Sequence, residues 1–398
     1  MLKSLVSIII PVYNGSNFLR DAIESALSQT YKNCEVIIVN DGSIDDTEDI
    51  CLSYGDKIRY YSKENGGVAS ALNMGIAHMH GDYFSWLSHD DIYYHDKILH
   101  QLEALEESHN LHGIVIGNFN FHRMDDGSVH LFNMEEMCNP LKIKEGIYPA
   151  LFGIVHACAM LVHKDNIKRV GSLDENLRTT QDIDWIFRLL RNQKTTYTRK
   201  PLVGVRLHPA QGKHHIKSFN DEQAETHISF INRISEDEIL NLFSSKYLFY
   251  RQMMSFYRRD MNQGALEYTV SLLANENTPD NFLDLTANLH SRILSLSGGY
   301  AKKLCIFCAG NYGRILNQEL FLRGISVDCF SDNNSSLWGT IIDGVECIPP
   351  NNVEKDNTLV IVAMNHPQQL ISELKNNGFC YITDYFKILS DISNICPL

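Results

Sequence analysis

The chain has 398 residues, 35 Lys and Arg against 48 Asp and Glu for a formal net charge of -13, and 44% apolar residues. At roughly 150 residues per domain this allows two or three domains, each able to bury a core; 21% charged residues and only 10 Pro exclude a disordered or collagen-like chain. The negative balance removes the cationic face that nonspecific nucleic-acid binding requires, so no nucleic-acid partner is expected, and a phosphorylated ligand would need a divalent cation to hold it.

The first residues, MLKSLVSIIIPVYN, carry one Lys and an apolar run ended by Pro11, too short for the apolar region of a secretory signal. No run of about 18 apolar residues occurs, so membrane contact is expected to be peripheral. From Leu5 to about Phe119, short apolar runs alternate with amphipathic stretches, the pattern of β-α-β units on a parallel sheet. LVSIII, CEVIIVN, KIRYYS and DYFSWLS read as strands. Leu19, Ala22, Ile23 and Ala26, then Ala69, Leu72, Ile76 and Met79, recur at helical spacing. Asp45 or Asp46 is placed to cap the helix after the second strand, and Asp91 to begin one at Ile92.

Between about 112 and 210, GIVIGNFNF, ACAMLVHK and TTYTRKPLVGVRLH read as strands around one helix, Asp182 to Arg191, which suggests antiparallel additions to the same sheet. From 218 to 295 the pattern is helical. Its Lys246, Arg251, Arg258 and Arg259 make either a solvated face or a surface for acceptor, membrane or oligomer contacts. SLSGGYAKK reads as a hinge. After it KLCIFCAGNYG, a helix through Arg323, ISVDCFSDNN, TLVIVAMN and a helix at 367–377 form a small second α/β unit. The expected organisation is therefore 1–215, 216–298 and 299–398. The ten cysteines, including Cys138, Cys396 and the Cys305/Cys308 pair, sit mostly singly in apolar runs, as reduced thiols in a core do.

Four clusters carry chemistry. Pro11-Val12-Tyr13-Asn14 and Asn40-Asp41-Gly42-Ser43 end the first two strands, where open parallel sheets bind ligands. Asp41 could accept the N3–H of a uracil and Tyr13 could stack on its face; both segments also read as plain strand-exit turns. Gly66-Gly67, followed by Asn73, would let a phosphate or sugar approach a helix start, or form a simple loop. Ser88-His89-Asp90-Asp91 offers paired carboxylates to Mg²⁺ or Mn²⁺. Gln181-Asp182-Ile183-Asp184-Trp185 puts a carboxylate in the first turn of a helix, where it suits a base waiting for a hydroxyl proton. Arg206 and His208 add a cation and a potential ligand.

In this order and spacing, SIIIPVYNG, VIIVNDGSIDDT, ENGGVASALNMG, WLSHDD and LDENLRTTQDIDWIFRL resemble the family 2 nucleotide-sugar glycosyltransferases over about residues 4–210. The resemblance implies a GT-A fold, a Rossmann-like mixed sheet flanked by helices. It implies donor contacts at Pro11, Tyr13, Asn14, Asp41, Gly66, Gly67, Asn73 and Asp90. It also implies a divalent metal, Mn²⁺ or Mg²⁺, at Asp90 and Asp91 with help from His208, a catalytic base at Asp182, and an acceptor side at Gln181 and Trp185. Ser88 replaces the usual first Asp of the metal motif, Gln181 the usual Glu before the base, and Leu72 an Arg. The C-terminal part resembles small Rossmann-like domains of bacterial surface-polysaccharide proteins, with Gly310, Gly313 and Asp332 in place for a ligand and Cys308 where the first glycine would stand.

The expected function is inverting transfer of a sugar, most readily from a UDP-sugar, to a glycan or lipid-linked acceptor in O-antigen or capsule synthesis. The expected location is the cytoplasm or the inner face of the cytoplasmic membrane. The rivals are a non-catalytic sugar-nucleotide-binding scaffold and an oxidoreductase built on the C-terminal unit. A sugar nucleotidyltransferase would need a Gly-rich, Arg-containing loop that PVYNGSNFLR lacks.

Overall fold

A computed structural model describes residues 4–137, 140–209, 219–243, 245–276, 290–291, 293–322, 325–364, 366–385 and 387–388. Cys138, Cys396, Arg323 and the 277–289 stretch lie outside them, as do the side chains of Arg258 and Arg259. The chain divides into two compact units, 1–231 and 232–398.

The first unit begins β1 (Val6–Val12), α1 (Leu19–Leu27), β2 (Cys34–Asn40), α2 (Thr47–Leu52), β3 (Arg59–Ser62), α3 (Val68–His78), β4 (Tyr83–Trp86) and β5 (Ile92–Tyr93). It continues with α4 (Lys97–Glu107), β6 (Ile114–Arg123), β7 (Val129–Phe132), α5 (Tyr148–Leu151), β8 (Leu161–His163), α6 (Lys164–Val170), α7 (Gln181–Leu190), β9 (Thr196–Leu207) and α8 (Phe219–Arg233). Every residue of β1 is buried, as a strand covered by helices on both faces should be. The apolar positions of α1 that recur at three and four are the ones it buries: Leu19, Ala22, Ile23 and Ala26.

The strands order as β3-β2-β1-β4-β8-β6-β9-β5, with β7 on β6. β1 pairs in parallel with β2 and β4, and β2 with β3. β8 runs antiparallel to both β4 and β6, as does β5 to β9, while β6 and β9 are parallel. Because the chain leaves β1 toward β2 and returns on its other side as β4, a crevice opens at the carboxyl ends of these strands. Residues of the first three motif clusters, Tyr13, Asp41, Gly67 and His89 among them, line it.

Two local expectations resolve differently. Asp45 rather than Asp46 bonds the start of α2, accepting from Thr47 N at 3.2 Å and Thr47 Oγ1 at 2.5 Å. No helix begins at Ile92: Ile92 and Tyr93 pair with Gly204 and Val203 as β5, and α4 starts at Lys97. Tyr93 is buried and its hydroxyl donates to the carbonyl of Trp86 at 2.5 Å, which keeps this segment extended beside the sheet.

The second unit contains α9 (Glu236–Phe243), α10 (Lys246–Arg259), α11 (Gln263–Leu273), β10 (Lys303–Phe307), α12 (Asn311–Leu322), β11 (Cys329–Ser331), β12 (Ile341–Ile342), β13 (Val345–Ile348), β14 (Thr358–Val362), α13 (Gln368–Asn376) and β15 (Tyr381–Asp384). Its strands order as β12-β13-β11-β10-β14-β15, parallel apart from the β12–β13 hairpin. Leu304 and Ile306 pack with Leu316 and Leu320 in one apolar layer, and Cys305 and Phe307 with Leu374 and Phe379 in another. Cys305 is thus core rather than a metal ligand. In the basic group, Lys246 pairs with Glu236 at 2.9 Å and Arg251 lies over the rings of Tyr247 and Phe321.

Candidate functional site

The rim of the crevice is built by hydrogen bonds between loops. Asn14 takes a left-handed backbone (φ 49°) after β1; its N–H donates to Ser43 Oγ at 2.9 Å, and its side-chain oxygen accepts from Ile44 N at 2.9 Å. Asn14 therefore ties the loops after β1 and β2 together. Asp41, 3% exposed, follows β2. Its Oδ1 accepts from Lys63 Nζ (2.8 Å) and Gly66 N (3.0 Å), its Oδ2 from Gly67 N (2.7 Å). The carboxylate thereby folds the Gly66-Gly67 loop against β2. Gly67 precedes α3 with φ 92°, a left-handed value that a side chain resists, and a Cβ there would stand 3.1 Å from Arg178 Nη1.

These loops enclose a cleft of about 480 Å³. Pro11, Val12, Tyr13 and Asp41 line one side, Asn65, Gly67, Val68 and Ala71 another, with His89 and Arg178 completing it. Tyr13 is 49% exposed, so its ring is open to solvent where it lines the cleft. Burial holds the His89 imidazole below its ordinary value, so it stays neutral. Arg178 supplies a cation: its Nη1 donates to Gly66 O at 3.3 Å.

Below the cleft lie the acidic residues that follow β4. Asp90 Oδ2 and His208 Nε2 stand 3.1 Å apart. Asp91 is buried, with its Oδ1 accepting from Arg206 N at 3.0 Å, and burial beside Asp90 pushes its carboxyl well above the usual range. A carboxyl so enclosed joins β9 to the end of β4, and Asp90 is the more open carboxylate of the two. The guanidinium of Arg206 pairs with Asp21 at 2.7 Å.

Asn73 reaches away from the cleft to the segment leading into α7. Its amide donates to Leu173 O (3.0 Å) and Glu175 Oε1 (2.9 Å) and accepts from Leu173 N (2.9 Å). The next residues are gripped by Glu222 of α8, whose carboxylate accepts from the N–H groups of Arg178 (3.0 Å), Thr179 (2.7 Å) and Thr180 (2.8 Å) and from both threonine hydroxyls. These bonds hold the Glu222 carboxyl below its usual range against the opposing effect of burial.

At the first turn of α7, burial pushes Asp182 up to about 6, opposed by the N–H groups of Ile183 and Asp182. Asp184 is committed to Arg188 Nε at 2.7 Å. Trp185 is core: 2% exposed, edge-on to Phe84, with its indole N–H on Gly171 O at 3.0 Å. Gln181 is buried and its side-chain oxygen has no hydrogen-bond partner. The expected acceptor-side pair is therefore not an open surface.

Residues 7–169 match the sequence profile of Glycosyl transferase family 2. An uncharacterized glycosyltransferase of Rickettsia typhi is 40% identical over 256 residues, 64% of this chain and 80% of that protein. The chain belongs to glycosyltransferase family 2. An uncharacterized glycosyltransferase of Rickettsia felis is 43% identical over 254 residues, 63% of this chain but 42% of its own length. The chain thus spans about two fifths of some curated relatives it matches. Among solved structures, S. aureus TarS 1–349 in complex with UDP-GlcNAc aligns at TM-score 0.50 and 15% identity over 85% of this chain and 95% of that one, a likeness of fold.

Set in the glycosyltransferase family 2 frame, Pro11, Tyr13, Asp41 and Gly67 meet in the cleft, with Gly66 bonded to its wall. Asn14 and Asn73 instead hold loops, Asn14 through its side-chain oxygen on Ile44 N and Asn73 through both ends of its amide, on Leu173 and Glu175. Leu72, where the family often has Arg, is fully buried. Arg178 and Glu222 escaped the sequence reading. Arg178 looks like any surface cation until its loop folds back on Gly66, and Glu222 lay in a stretch with only helical periodicity to read. Among the described residues no helix is long and apolar enough to cross a membrane.

In the second unit, Asp332 Oδ2 accepts from Ala309 N at 2.8 Å and its Oδ1 from Asn334 N at 2.8 Å, so this acid braces the loop after β10. Cys308, in the place of a glycine, has φ 77°, a strained value for a side-chain-bearing residue. A Cβ on Gly313 would overlap Cys308 O. Gly310 has open space around it.

Proposed function

We propose that the first unit transfers a sugar from a nucleoside-diphosphate donor, with UDP as the nucleotide, to an acceptor hydroxyl, inverting the anomeric centre. The observation that carries this reading is the convergence of Tyr13, Asp41 and Arg178 on one cleft that His89 also lines, one residue before the Asp90 that pairs with His208. Tyr13 would stack on the base and Asp41 accept its N3–H; Arg178 would meet the phosphates. TarS, bound to UDP-GlcNAc, supports a UDP-sugar.

The Asp90–His208 pair fits a divalent cation. Two ligands bonded at about 2.1 Å and at right angles stand about 3 Å apart, and the oxygen and nitrogen here are separated by 3.1 Å. Such a cation, Mn²⁺ or Mg²⁺, would stabilise charge on the departing diphosphate. With Asp184 paired to Arg188, Asp182 is the carboxylate left to take the acceptor proton. Attack from the face opposite the diphosphate needs no carboxylate nucleophile, unlike a retaining glycosidase. The acceptor is a glycan or lipid-linked saccharide of a surface polysaccharide, and the protein works in the cytoplasm or on the inner membrane face. The second unit would serve a sugar nucleotide or assembly.

The test is Asp182→Asn with a UDP-sugar panel. Transfer should fall at least about a hundredfold while donor binding, followed by thermal shift, stays near wild type. Retained turnover would remove Asp182 from the reaction, and failure to bind any donor would favour a scaffold.

A further inference from the structure

At the far end of β4 from Asp90, a second group of ligand atoms gathers. His112 lies in the turn between α4 and β6, His163 ends β8, and Asp165 opens α6. One ring nitrogen of His112, one of His163 and a carboxylate oxygen of Asp165 all lie within 4.8 Å of one another. Asp165 Oδ2 is 2.8 Å from His112 Nδ1 and 3.4 Å from His163 Nδ1. The two imidazoles approach to 4.1 Å between centroids.

This grouping is built rather than incidental. Three successive carbonyls of the turn are each taken by the elements that carry the other ligands or pair with them. Tyr83 Oη donates to Leu111 O at 2.5 Å, Asn166 Nδ2 to His112 O at 2.8 Å, and His163 N to Gly113 O at 3.3 Å. Tyr83 also sets its ring edge-on to His163, and both His163 and Asn166 are buried. The donors are therefore held in place by bonds that do not involve them. The N–H of Asp165 donates to His163 Nδ1 at 3.3 Å, so that nitrogen is unprotonated, and an ion bound there would take the lone pair from this long bond. Beside the group a cavity of about 360 Å³ leaves room for water, and the neighbouring cation, Lys164, is neutralised by Asp82 at 2.7 Å.

We propose that His112, His163 and Asp165 bind a zinc ion, with water in the fourth position. Two imidazoles and one carboxylate suit zinc better than the oxygen-seeking Mg²⁺. Bonds of about 2.0–2.1 Å in a tetrahedron put donors about 3.3 Å apart, close to the 3.4 Å seen and a small opening from the 2.8 Å. On binding, the proton that His112 Nδ1 shares with Asp165 is given up and Nε2 carries the ring proton instead, so the imidazole stays neutral and the ion takes the vacated lone pair. The ion would join the α4–β6 turn to the start of α6, away from the donor cleft.

The experiment uses the full chain, stripped with chelator, carrying Asp90→Asn to silence the donor-side pair. Zinc alone should then bind at one ion per chain and raise the melting midpoint by about 5 °C at a hundredfold excess over Kd. Adding His112→Ala, or Asp165→Asn as an independent variant, should weaken binding at least about tenfold; both positions are exposed, so the fold should survive. Absence of zinc uptake by the Asp90→Asn chain would overturn the proposal, as would unchanged affinity in both added variants.

Discussion

Two buried titratable groups shape the behaviour of the first unit with pH. Asp182, pushed up to about 6 by burial, must lose its proton before it can accept another. The acid limb of kcat/KM should therefore turn near pH 6, not near the ordinary aspartate value, and a pH–rate profile reads this directly. Lys97 is enclosed among Ser85, Gln101 and the carbonyl of Met160, and burial pushes it down to about 7 from 10.5. Between those values the unfolded chain holds a proton that the folded chain has lost, so stability gains from this group as pH rises from about 7 to 10.5. Lys97→Met should remove that gain. Urea unfolding of both proteins at pH 7 and pH 9 measures the difference, and equal slopes would place the titration elsewhere.

At the scale of elements, the entry to α7 depends on α8. Glu222 satisfies three successive backbone N–H groups, at 178–180, just before the helix of Asp182. Glu222→Gln keeps the shape but loses the charge and can accept on one oxygen only. Since a hydrogen bond to a charged group contributes about 1.5–3 kcal/mol, the variant should lose roughly 2 kcal/mol of stability in denaturant melts. Its kcat/KM should also fall about tenfold as Arg178 drifts from the cleft and the first turn of α7, with Asp182, shifts. The acid limb should move down, because the negative charge of Glu222 raises Asp182. A stability loss without movement of the limb would reduce Glu222 to a structural brace. Legibility follows the same division. Strand runs such as VSIIIPV and CEVIIVN and the motifs at their ends were readable because period and turn chemistry are local. The correction at Ile92, the core burial of Trp185 and the diversion of Asn73 to Leu173 were not, since each was decided by a partner about ten to a hundred residues away.

For the whole molecule, the catalytic unit needs more chain than its motifs occupy. The first unit runs to residue 231. Within it Phe230 stacks flat on Phe187 of α7 at 4.2 Å, Thr226 bonds Thr180 at 2.8 Å, and Glu222 grips 178–180. A chain ended at residue 215 should bare Phe187 and release the α7 entry. One ended at residue 235 should melt cooperatively and keep donor affinity. Comparing the two by calorimetry and UDP titration tests this, and equal behaviour would make α8 dispensable. The sequence boundary at 215 was placed where strand periodicity stopped; an ion-pair-free carboxylate serving a distant backbone leaves no periodic signal.

In the proposed donor site, the bonding of Asp41 would make it a selective reader of nucleobases. A carboxylate offers about four acceptor directions, and Lys63, Gly66 and Gly67 fill three, leaving one on Oδ2. Uracil presents a single ring N–H between two carbonyls and asks for one acceptor. Guanine presents a ring N–H and an amino group side by side and would leave the second donor stranded against a filled oxygen. A preformed loop contact would thus act as a counting device under the proposed function: the bonds that shape the glycine turn would also set how many protons a base can bring.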